Sequence, residues 1–147
     1  MIALLCALLL AAPSKEELRD LATKIEEQLD AWDVPGASRA VDELVQNHPD
    51  SPEAAYYRGR VLFEQGKYDE AVKEYEEATQ RGVTPGSFDS LARRGQTVVE
   101  NDVRLAKAAA EETKGDAVFE SEHFVLRTRP GKDTLLAPYA LNALEKA

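Results

Sequence analysis

The sequence predicts a mostly α-helical protein: a short α-solenoid of antiparallel helix hairpins, closed by a long capping helix and followed by a C-terminal strand-turn-helix tail. Three observations predict it. From about residue 14 to residue 114, apolar residues recur every three or four positions, the spacing that gives a helix one apolar face. Pro, Gly and Asp cut that pattern into hairpin-sized segments at 33–36, 47–52, 66 and 82. After Gly115 the texture changes and β-forming residues cluster.

The elements follow in chain order. The first twelve residues, MIALLCALLLAA, are apolar and uncharged. A spanning helix needs about 20 such residues, so no stable membrane span is expected. The stretch 1–12 reads as the apolar region of a secretory signal peptide, with Ala11 and Ala12 before the cut. No Lys or Arg precedes it, and a buried N-terminal helix is the alternative; Cys6 leaves too few residues ahead of it for lipid attachment. The expected location is periplasmic or extracellular, or cytoplasmic if the leader is not a working signal.

Ser14 and Glu17 have the spacing of a capping box. Leu18, Leu21, Ile25 and Leu29 then give one apolar face to a helix over about 15–31, which Asp33, Val34, Pro35 and Gly36 break. Ala37, Ala40, Val41, Leu44 and Val45 mark a second helix, ended by NHPDSP at 47–52. Ser51 can cap a third, over about 52–65, with Pro52 at the first helical position, where its missing N–H costs nothing. Gly66 stops it, and a fourth helix runs over about 68–81 to Gly82. Thr84 and Pro85 reopen the pattern. Phe88, Leu91, Ala92, Val98, Val99, Leu105, Ala106 and Ala109 form one stripe on a long fifth helix ending near 114, with Gly95 as the point where it could break.

In the tail, Val118, Phe119, Phe124, Val125 and Leu126 read as one strand, RPGKD as a turn, and Asp133 as the cap of a last helix with Leu136, Tyr139, Ala140, Ala143 and Leu144 on its apolar face. A lone strand has no hydrogen-bond partner within the chain.

Composition narrows the function. A chain of 147 residues with 44% hydrophobic and 31% charged residues suits one domain with a real core and leaves no room for a second, catalytic one. The net charge of −9 repels phosphate backbones and anionic membrane surfaces, so nucleic acid is not an expected partner. Cys6 is the only cysteine, which excludes an internal disulfide and a cysteine-based zinc site. The two histidines, His48 and His123, do not form H-E-x-x-H; His48 reads as a helix-terminus residue. Glu122 and His123, adjacent in the predicted strand, would face opposite ways. No catalytic residue, no metal site and no cofactor is expected, and an enzyme complete in these residues is not predicted.

Residues 52–85, PEAAYYRGRVLFEQGKYDEAVKEYEEATQRGVTP, span 34 residues and two helices and resemble a tetratricopeptide repeat. Gly59, Leu62, Tyr68, Ala71, Tyr75 and Ala78 carry the resemblance, while Ala55, Arg58 and the late Pro85 depart from the pattern. Residues 18–51 look like a divergent copy. The resemblance implies a helical domain over 14–114 whose hairpins stack, with the first helix of each lining a concave groove for a protein or peptide. It places Glu53, Tyr56, Arg60, Phe63 and Glu64 in that groove. Tyr56 and Phe63 are either exposed aromatics that meet the ligand or residues packed on a neighbouring helix. The lysine and asparagine set with which some relatives clamp a C-terminal carboxylate is not evident.

The last stretch, ESEHFVLRTRPGKDTLLAPYALNALEKA, resembles the entry into the catalytic domain of gluzincin-like (peptidase MA-like) metallohydrolases that follow helical repeats in exported bacterial proteins. That resemblance implies a second reading, in which 116–147 opens a further domain of an exported zinc metallopeptidase with its H-E-x-x-H region beyond residue 147. The alternative is a tail folded back as a cap.

Overall fold

The computed structural model describes residues 15–82 and 96–147. Two helix hairpins lead: α1 (Lys15–Asp30) with α2 (Val34–Asn47), and α3 (Pro52–Glu64) with α4 (Tyr68–Gln80). Next come α5 (Gln96–Glu112), strands β1 (Ala117–Glu120) and β2 (Val125–Thr128), a 3-10 turn (Lys132–Leu135) and α6 (Ala137–Leu144). Among the described helices, α2 packs on α1, α3 on α2, α4 on α3 and α5 on α4, and α1 also meets α3, which is the neighbour-to-neighbour order of a solenoid. The predicted fold class is the one observed.

One core runs through the stack. Leu21, Ile25 and Leu29 of α1 join Ala37, Val41 and Leu44 of α2, Tyr56, Tyr57 and Val61 of α3, Ala71, Tyr75 and Ala78 of α4, and Val99 and Ala106 of α5. Bulky residues such as Tyr56, Tyr75 and Leu44 share this core with small ones such as Ala37, Ala71 and Ala78. The helices start as their caps dictate. Ser51 Oγ accepts the Ala54 N–H at 3.0 Å. At α2 the predicted break at 33–36 is instead the helix start. The Asp33 carboxylate accepts the Gly36 N–H at 2.9 Å, and Pro35 sits in the first turn, where no N–H is needed. Glycine at 36 leaves room for this cap, because a Cβ there would stand 2.0 Å from Asp33 Oδ2 and push the carboxylate aside.

Ser14 of the expected capping box, the leader 1–12, the start of the fifth helix and its expected break at Gly95 lie outside the described residues. The end of that helix, at Glu112, agrees with the sequence.

Two expectations for the tail are corrected. The run 117–128 is a hairpin, not one strand: β1 and β2 pair antiparallel from Ala117 opposite Thr128 to Glu120 opposite Val125. Ser121 N–H donates to Phe124 O at 2.9 Å and closes the turn. An extended segment without a neighbour satisfies its backbone groups by folding on itself, and the polar Ser-Glu-His run is where it can turn. The last helix is also rotated from its predicted face. Asp133 does not cap it; Leu136 precedes Ala137 and Pro138, and the buried residues are Ala137 and Leu141. Leu136, Tyr139, Ala143 and Leu144 are exposed, because α6 rests on the narrow hairpin and the 3-10 turn, which cover only one stripe of it.

The tail is anchored to the helical stack. Arg127 of β2 donates to Gly66 O in the α3–α4 turn and lies over the Tyr68 ring at 5.4 Å, and Arg129 pairs with Glu112 of α5 at 2.7 Å. Among the described residues no helix is long and apolar enough to cross a membrane.

Candidate functional site

The five groove residues predicted on α3 separate into three kinds. Glu53 and Tyr56 are buried, Arg60 and Phe63 are half-buried, and Glu64 is exposed.

Tyr56 is not the exposed aromatic expected of a ligand contact. Its ring is fully buried, 5.3 Å from Tyr57 in an edge-on arrangement and 5.7 Å from Tyr75. Its hydroxyl donates to Asp102 Oδ2 of α5 at 2.7 Å. A phenol suits this place because the ring fills the interior while the O–H reaches a polar partner at its edge. Burial, reinforced by the Asp102 charge, pushes the Tyr56 pKa up, so the hydroxyl stays a donor. The alternative reading of Tyr56, packing on neighbouring helices, is the observed one.

Phe63 likewise packs rather than projects, its ring 5.2 Å from Tyr68 at the start of α4. Glu53 lies in the first turn of α3 beside its Ser51 cap. Burial raises its pKa, while its own backbone N–H and nearby His48 work the other way. Both residues support the hairpin more than they present a surface.

Arg60 is where helices converge. Its side chain is 17% exposed, and Nη1 stands 3.8 Å from Glu26 Oε1 of α1. Glu26 also accepts the Tyr57 hydroxyl at 3.1 Å. Burial opposes the Arg60 charge, but the Tyr56 phenol and the Glu26 carboxylate outweigh it and carry the pKa upward. Arg60 of α3 is thus tied to Glu26 of α1, and Tyr56, one turn earlier on α3, to Asp102 of α5, with the exposed Glu64 one turn after Arg60.

Sequence reasoning missed Glu26 and Asp102. Glu26 was findable, since it stands 34 positions before Arg60 and so occupies the same place in the preceding repeat. Asp102 had no such signal. It pairs with Tyr56 across 46 positions of chain and lies beyond the repeat read at 52–85.

This surface can accept hydrogen bonds from a bound chain and pair with its cations, but it holds no nucleophile beside a base. In the tail, Glu122 and His123 lie in the turn rather than in a strand. The His123 N–H donates to Glu145 Oε1 at 2.8 Å, its Nδ1 is 2.7 Å from Glu145 Oε2, and its Nε2 is 4.0 Å from Glu122. His48 closes α2, its N–H donating to Leu44 O at 2.8 Å. Among the described residues no group of three or more His, Cys, Asp or Glu could hold a metal ion.

The family model of the tetratricopeptide repeat matches residues 24–87. No curated protein and no solved structure matches the chain.

Proposed function

We propose that this protein is a noncatalytic scaffold of the tetratricopeptide-repeat kind that binds a protein or peptide segment along the surface shared by α1, α3 and α5. One observation supports the reading: α3 carries polar contacts to both flanking helices, Arg60 to Glu26 of α1 and Tyr56 to Asp102 of α5. Arg60 and Glu64 are the residues of α3 available to a ligand, whereas Tyr56 is core. The decisive variants are therefore Arg60→Ala and Glu64→Lys. Immobilised wild-type protein should retain a partner that these variants lose, with helical circular dichroism unchanged. Equal recovery on wild type and variants would remove the groove.

The apolar leader 1–12 supports export of the chain. Fractionation of cells producing a C-terminally tagged chain, with the N-terminus read by mass spectrometry, tests this; a full-length chain confined to the cytoplasm would refute it.

A second reading is favoured by the tail, where Leu135, Leu136 and Tyr139 stand exposed, as they would in elements that pack on a further unit. In that reading 116–147 opens a metallohydrolase domain. Its zinc ligands would then lie outside the described residues, among which no group of three or more His, Cys, Asp or Glu could hold a metal ion. Reading the gene past codon 147 decides the matter: a stop without an H-E-x-x-H frame beyond it would end this alternative.

A further inference from the structure

The turns that close the two hairpins are built alike, 34 positions apart. Trp32 N–H donates to Leu29 O and Gly66 N–H to Phe63 O; Asp33 N–H donates to Gln28 O and Lys67 N–H to Leu62 O. Both turn residues adopt left-handed backbone, φ +59 at Trp32 and +72 at Gly66. Glycine takes that conformation freely and a bulky side chain rarely does, so the first turn holds tryptophan against its backbone preference. That side chain is also 79% exposed, so core packing does not account for it.

The second turn shows what such a site receives. Arg127 donates to Gly66 O and lies over Tyr68. A Cβ built on Gly66 would meet the Arg127 guanidinium, 3.6 Å from Nε and 3.7 Å from Nη2, so the side-chain direction at this position points at the arginine. In the first turn the same direction is filled by the indole. The position of Tyr68 is occupied there by Val34, so in the first turn the aromatic ring is that of Trp32 itself. The charge agrees. Glu64 precedes the second turn, its counterpart before Trp32 is the exposed Asp30, and Asp33 replaces Lys67, which makes the first turn the more acidic of the two.

We infer that the Trp32 turn is a docking site for an arginine side chain from a basic partner segment, held on the exposed indole face and paired with Asp30 and Asp33. A guanidinium stacks on an indole face and pairs with carboxylates at once, and the chain's net charge of −9 favours a cationic partner over a second copy of itself. The site adjoins the α1–α3–α5 surface, since Asp30 stands one turn after Glu26 on α1, but Arg60 takes no part in it.

Trp32 is the only tryptophan, so its emission reports this turn alone. Titrating the full chain with a capped Arg-Gly repeat peptide should give a saturable change in tryptophan emission, and the same peptide with citrulline in place of arginine should not. By calorimetry, Trp32→Gly should bind the arginine peptide at least tenfold more weakly. Glycine suits the backbone at 32, so this variant keeps its fold, as circular dichroism will verify. Arg60→Ala should bind like the wild type. No saturable emission change, equal binding of the citrulline peptide, unaltered affinity in Trp32→Gly, or a loss confined to Arg60→Ala would each overturn the proposal.

Discussion

The ring of Tyr75 stands directly on the bare Cα of Gly59, so that a Cβ at 59 would lie 2.8 Å from Cδ1 and 2.9 Å from Cε1. Helices α3 and α4 can approach this closely only because position 59 has no side chain. Tyr75 is itself fully enclosed and has little room to retreat.

Gly59→Ala should therefore destabilise the protein although alanine is the better helix former. The propensity gain is about 1 kcal/mol, whereas overpacking against an enclosed ring costs about 1–3 kcal/mol. A net loss of about 1 kcal/mol is expected in urea unfolding. Adding Tyr75→Leu should make the Gly59→Ala change less costly than in the wild-type background; a cost equal in both backgrounds would show that the two residues do not share the space.

Tyr56→Phe should loosen α5 from the α3–α4 hairpin. The substitution deletes the 2.7 Å hydrogen bond to Asp102 and leaves that carboxylate without its donor. Hydrogen bonds to charged groups contribute about 1.5–3 kcal/mol, so a lower urea midpoint is expected with the ring packing intact. Tyr56→Ala should cost about 3–5 kcal/mol as the cavity is added. A Phe variant as stable as the wild type would show that the hydroxyl contributes nothing.

Arg127→Ala should free the tail without unfolding the stack. The guanidinium is the link between β2 and the α3–α4 turn. Hydrogen exchange should accelerate in β1 and β2 and stay unchanged in α1 to α4. Arg127→Lys should be intermediate, since lysine keeps the charge over Tyr68 but loses the planar fork. Uniform acceleration through all helices would contradict this division.

The His123–Glu145 pair should make the tail pH-dependent. The hydrogen bond to Glu145, then its charge, raises the His123 pKa above 6.5. Hydrogen bonds from Ser121 and His123 lower that of Glu145 from 4.5 to about 2. A raised histidine stabilises the fold below its unfolded value and loses that contribution as pH rises through the folded value. A depressed carboxylate contributes above its unfolded value and loses it as pH falls. Exchange protection in the turn and in α6 should therefore be greatest between pH 4.5 and 6.5, declining on both sides. In an NMR titration Glu145→Gln should bring His123 back toward 6.5; an unchanged midpoint would show that Glu145 is not the cause.

The helices and their order were legible because each is specified locally. Leu21, Ile25 and Leu29 mark a face within one helix, Ser51 and Pro52 mark a start, and the match of Gly59 with Tyr75 needs only the next helix in the chain. The α2 start was misplaced because Asp33, Pro35 and Gly36 have the same composition in a break as in a capped first turn. Only the hydrogen bond from Gly36 to Asp33 separates the two.

What the amino-acid sequence determined by itself is a repeat of two amphipathic helices, and with it the stacked architecture. Periodicity and turn chemistry act over a few residues and do not depend on the rest of the molecule. Which side chains face outward was decided by tertiary structure. Tyr56 is enclosed with Tyr57 and Tyr75 while α5, far along the chain, brings Asp102 to its hydroxyl, and the tail strand pairs with a second strand of the same tail, the described residues holding no other. Exposure depends on what packs opposite a residue, and that neighbour is set by the folded chain as a whole.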